Sequence, residues 1–201
     1  MNVELWNKST KQVFLGKILA CILGIVAGIL GVIAVAALAS DVLNGGGSST
    51  GVVGVLSFIV SLGILAGDVL VFLGIMGMKN ASEGEIQQHV QKLWLAAIFS
   101  ICAIVIGWIP VIGSIIGGIL SLLALIFLLI GYSGLKNSAE MAAFSPVAAL
   151  GFKSLFTAEI LAIIGTVVAW IPLIGIVGSI VCLVAYIMEL LGWKKVSTPV
   201  A

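Results

Sequence analysis

Six apolar stretches dominate this chain, at about 13–38, 52–78, 93–108, 111–135, 155–170 and 173–193. As helices rising about 1.5 Å per residue, each can cross roughly 30 Å of hydrocarbon, the third and fifth at the short limit. A segment buried in lipid must satisfy its own backbone donors and acceptors, so runs of this length commit the chain to helices. Composition agrees: 62% of residues are hydrophobic, 8% are charged, and the mean hydropathy is +1.35. The connectors between the runs are too short to fold alone, so residues 1–201 read as a single all-α membrane domain, a polytopic transmembrane helix bundle.

All nine basic residues are lysines. With six spans, Lys8, Lys11 and Lys17 precede the first. Lys79 and Lys92 flank the connector after the second, Lys136 and Lys153 the connector after the fourth, and Lys194 and Lys195 follow the sixth. Every lysine then falls on one side, and the opposite side carries Asp41 alone. The positive-inside rule predicts that both termini are cytoplasmic and that the lipid bilayer of the cell membrane is the principal partner. The first sixteen residues are polar and mixed, unlike a cleaved signal, so the first run reads as a retained helix. The formal charge of +1 leaves no basic face for nucleic acid.

Two breaks have the same form. Trp108-Ile109-Pro110 separates the third and fourth runs, and Trp170-Ile171-Pro172 the fifth and sixth. Proline disfavours helix at the preceding residue and fits the first turn of the next, so each predicts a tight hairpin whose tryptophan sits at the headgroup boundary. The alternative, one kinked helix of more than 40 residues, exceeds any bilayer. Trp94 and Trp193 are expected at the opposite boundary. The break at residues 40–50 is a flexible, glycine- and serine-rich loop.

The segment Gly74-Ile75-Met76-Gly77-Met78-Lys79-Asn80 recurs as Gly131-Tyr132-Ser133-Gly134-Leu135-Lys136-Asn137, and Gly131-Tyr132 is matched by Gly192-Trp193. Three copies of one helical hairpin, at about 13–80, 93–137 and 153–195, account for the recurrence. All begin and end on the lysine side, so the repeats are parallel, unlike an inverted-repeat transporter. Small residues at four-residue spacing predict helix-packing seams through Gly24 and Gly28, Gly63 and Gly67, and Gly113 and Gly117. Either a helix of this chain or another subunit could fill them. Ser82-Glu83-Gly84-Glu85 has the pattern of a capping box, placing the start of the third helix near Glu83.

Asp68 is the one acidic residue placed deep in a span. A carboxylate at that depth costs roughly 3 kcal/mol on insertion scales, so it must face the bundle or a hydrated path. Ser57, Ser61 and Asp68 share one helical face and could form a proton or cation site. The structural alternative is an Asp68 hydrogen-bonded across a helix interface. Glu159 and Glu189 lie near the lysine boundary, with Lys153, Lys194 and Lys195 as expected partners. His89 reads as a surface residue. Cys21, Cys102 and Cys182 have neither paired spacing nor nearby histidines, so no metal or other cofactor is expected. No nucleophile elbow, metalloprotease helix or phosphate loop is present, which argues against an enzyme.

The run 104–140, with Gly107-Trp108-Ile109-Pro110-Val111-Ile112-Gly113 and the tail Gly134-Leu135-Lys136-Asn137-Ser138, resembles uncharacterised small multi-pass membrane proteins of archaea and bacteria that carry Trp-Ile-Pro hairpins. The likeness extends through the second such hairpin, over about half of the chain. It implies a small prokaryotic membrane protein and transfers no catalytic or binding residue. Two functions stay open. One is a non-enzymatic scaffold or accessory protein whose seams bind other membrane proteins. The other is a small channel or transporter, assembled as a homo-oligomer, that uses Asp68.

Overall fold

The computed structural model describes residues 1–44, 49–107, 109, 112–169, 171 and 175–200. Among these residues it contains seven helices and no strand: α1 (Val3–Asn44), α2 (Ser49–Ala81), α3 (Gly84–Gly107), α4 (Ile112–Asn137), α5 (Ala139–Phe144), α6 (Pro146–Ala169) and α7 (Gly175–Val196). All but α5 are long and apolar enough to cross a membrane, and the protein is a polytopic helical bundle. The hairpin tips Trp108, Pro110, Trp170 and Pro172 and residues 45–48 lie outside the described residues; the rest of the expected loop at 40–50 is helical, as the end of α1 and the start of α2.

The spans pair as antiparallel hairpins, α1 with α2, α3 with α4 and α6 with α7. Glycines set the first pairing. A methyl group added at Gly16 would lie 2.7 Å from the Gly67 carbonyl oxygen, and one at Gly67 would lie 3.2 Å from the Ala20 methyl. Gly63 meets Leu23 in the same way. In the second hairpin, Gly117 lies against the Ala103 carbonyl and Gly113 against Ile106. Close backbone approach of this kind is the main source of helix affinity in lipid, where apolar side chains gain nothing by leaving the solvent. Four of the six expected packing glycines therefore serve hairpins within this chain. Gly24 and Gly28 do not: a side chain there would meet open space, because they border a cleft between α1 and α7.

The hairpins close into a ring, α2 against α3, α4 against α6, and α7 more loosely against α1. At about 1.5 Å per residue the 42 residues of α1 extend for roughly 63 Å, more than the full thickness of a bilayer. The polar N-terminal segment is thus a continuation of the first helix, not a tail. It carries a buried stripe of Trp6, Ser9, Thr10, Val13 and Gly16 at helical spacing. Trp6 packs edge-on against Phe144, with centroids 5.5 Å apart. The core continues through Met78, Leu93, Leu135, Met141, Phe152, Leu155, Trp193 and Val196, all fully buried. Trp193 belongs to this core, where its ring completes a triangle with Tyr132 and Phe152 in which each centroid separation is 6.3 Å.

The compact core lies toward the ends that carry the chain termini. The two termini adjoin one another: the Asn7 side-chain amide donates to the Val200 carbonyl and its oxygen accepts from the Val200 amide, both at 3.0 Å. The predicted capping box does not form. The Ser82 hydroxyl donates back to the Lys79 carbonyl, and the start of α3 is capped from α5, whose Glu140 accepts from the Glu85 amide at 2.9 Å. Glu85 in turn accepts from the Ser138 hydroxyl. Gly84 makes the sharp entry possible with a φ of 58°, a conformation costly for other residues. The segment leading to α6 folds as α5 and the first turns of α6, which Pro146 opens at a position that needs no backbone donor.

Candidate functional site

Moving along the ring axis from the termini toward the hairpin tips, the packed core gives way to a polar group supplied by every span. Lys17 comes from α1, Asp68 from α2, Ser100 from α3, Tyr132 from α4, Glu159 from α6 and Glu189 from α7. Lys17 and Glu189 form an ion pair at 2.6 Å, with their side chains 25% and 18% exposed. Lys17 also interacts electrostatically with Tyr132, Asp68 and Glu159. It was expected on the polar flank of the first span, and Glu189 beside Lys153, Lys194 and Lys195. Both expectations fail because α1 continues well beyond Lys17, which sets the ammonium inside the bundle at the level of α7's last turns.

Asp68 and Glu159 make no hydrogen bond or ion pair with the described residues. They face cavities instead. A small one, about 50 Å³, is lined by Lys17, Asp68, Ser100, Tyr132 and Trp193 together with aliphatic side chains. The Tyr132 and Trp193 rings stand edge-on to one another in its wall, with centroids 6.3 Å apart. At about one probe sphere of 10–15 Å³ per water, the space admits a few molecules, and its walls offer the polar partners that water needs. A larger cavity, about 570 Å³, lies on the other side of Asp68. Asp68 and Glu159 line it with Ser100, Ser121 and a wall of aliphatic residues, including Ile104, Leu122 and Leu125. Ile104 and Gly118 bring it close to the α3–α4 turn, whereas the Tyr132, Phe152 and Trp193 rings close the axis in the opposite direction.

Ser57 and Ser61 do not join this site. The Ser61 hydroxyl donates to the Ser57 carbonyl of its own helix at 2.9 Å, and neither residue lines the cavities that Asp68 borders. The shared face of α2 is real, but it extends along the helix for more than two turns, and Asp68 alone reaches the axis. Lys17, Ser100, Tyr132, Glu159 and Glu189 are the members that the sequence did not point to. Charges inside an apolar run are a functional signal by default; their nearness to the run ends hid it. His89 pairs with Glu85 at 3.5 Å, four residues earlier on α3. The cysteines are free, and among the described residues no three or more His, Cys, Asp or Glu side chains are grouped to hold a metal ion.

No protein family, curated protein or solved structure matches this chain.

Proposed function

We propose that this membrane protein translocates a cation, with Asp68 as the group that accepts it and Glu159 as its neighbour on the path. The observation that carries the reading is the position of Asp68, which borders both cavities: the larger extends toward the α3–α4 turn, and the smaller reaches Lys17 of the Lys17–Glu189 pair. With Lys17 and Glu189 neutralising each other, the carboxyl groups of Asp68 and Glu159 are left for a mobile positive charge, a proton included. Intramembrane acids that face a cavity are the usual components of such relays. The lysine-rich end is cytoplasmic by the positive-inside rule, so the larger cavity lies on the exterior side of Asp68 and the aromatic core on the cytoplasmic side.

The scaffold reading asks for small-residue seams left free to receive other helices. Gly63, Gly67, Gly113 and Gly117 are instead occupied by helices of the same chain, which leaves only the Gly24 and Gly28 seam, on the cleft between α1 and α7, open to a partner helix. The test is flux into liposomes loaded with a pH-sensitive dye, followed in parallel with sodium and potassium gradients, for wild type and Asp68→Asn. Flux through the wild type that the substitution removes supports the reading. Equal flux through both proteins, or none for any of the three ions, refutes it.

A further inference from the structure

We infer that the larger cavity is a binding site for a small organic ammonium ion with an apolar body, and not for a metal cation; this rests on the reading of Asp68 as a cation-accepting group. Size is the first ground. A volume of about 570 Å³ falls within the roughly 300–1,000 Å³ typical of sites for organic ligands. A hard metal ion stripped of water requires about six oxygens, at 2.0–2.6 Å. The walls offer two carboxylates and two serine hydroxyls spread among Ala103, Ile104, Leu122, Leu125 and Leu128. The described residues nowhere gather three metal-binding side chains.

The chemistry of the wall is the second ground. Apolar surface over most of a site with a few convergent polar groups suits a ligand that is itself mostly apolar with one charged end. The charged groups not engaged in ion pairs are both acids, so the complementary end is cationic. An ammonium beside a carboxylate in this setting gains a charge-assisted hydrogen bond in a medium less screening than water.

Gly118 supplies a means of testing the cavity without touching its charges. It lines the wall, and a side chain added there meets no atom within 4 Å. Gly118→Leu therefore fills the cavity, and in mid-helix it also replaces a residue of poor helix propensity. Radiolabelled benzyltrimethylammonium is titrated onto the full-length protein in lipid nanodiscs, with sodium chloride or potassium chloride as competitors. We expect saturable binding to wild type that excess unlabelled probe displaces and equal concentrations of either salt do not. Asp68→Asn and Glu159→Gln should each weaken it by about tenfold or more. Gly118→Leu should abolish it while the variant keeps the wild-type circular dichroism spectrum and elution volume. A wild type without saturable binding overturns the inference, as does full binding by Gly118→Leu. If proton flux nevertheless depends on Asp68, the proposed transport function survives that failure; binding without any flux would have the opposite meaning.

Discussion

Removing Lys17 should cost this protein more than removing Glu189, although the two form one ion pair. At 2.6 Å and an effective dielectric constant of 20, the gross attraction between the charges is about 6 kcal/mol, most of it offset by desolvation. Breaking a buried pair by deleting one partner typically costs about 3–5 kcal/mol, because the other charge is stranded. Here the two deletions strand different things. Lys17→Met leaves Glu189, Asp68 and Glu159 around a site with no cation, so it should reach the full 3–5 kcal/mol. Glu189→Gln leaves the ammonium with Asp68 and Glu159 still in electrostatic range, and should cost about half as much. The double variant, which removes both charges, should be less damaged than Lys17→Met alone, a non-additivity of about 1–3 kcal/mol. Reversible unfolding in mixed detergent micelles, followed by circular dichroism for the four proteins of the cycle, measures each quantity. Equal losses for the two single variants, or strict additivity in the double, would refute the placement of Asp68 and Glu159 around one ammonium.

Two further outcomes follow from the packing and the threading. Gly16→Leu should destabilise by about 1–3 kcal/mol, since the new side chain collides with the α2 backbone, whereas Gly28→Ala, at a position open to the cleft, should be neutral or stabilising by up to about 1 kcal/mol; the same unfolding assay compares them, and similar losses would sink the distinction between filled and open seams. Cysteines introduced at Lys8 and at Ile109, in a background with the three native cysteines replaced, should react with an impermeant maleimide from opposite sides of sealed vesicles. Labelling of both from one side would contradict the six-span threading.

The helices themselves were legible in the sequence because lipid leaves a long apolar segment no other way to satisfy its backbone. Glycine spacing likewise marked Gly63, Gly67, Gly113 and Gly117 as seams, as a seam needs only small residues at a fixed interval, while the α1–α2 and α3–α4 contacts that fill them came from the tertiary structure. The same spacing misled at Gly24 and Gly28: a seam read from one helix says nothing about whether a partner arrives, and α7 stands away from α1 at that level. Trp6 was concealed by its polar neighbours in a helix that turns one stripe inward and the rest toward water. Lys17 was harder still. A lysine near the end of an apolar run can snorkel outward or turn into the bundle, and the choice depends on what faces it across the axis.

The sequence by itself therefore determined the class of this protein, the six spans and the concentration of lysines at one end, because these follow from transfer energies of individual segments. The convergence of Lys17, Asp68, Ser100, Tyr132, Glu159 and Glu189 was decided only by the tertiary structure. Each comes from a different helix, and the register and rotation that bring them to one axis are set by how neighbouring helices pack, to which the hydropathy of any one span is blind.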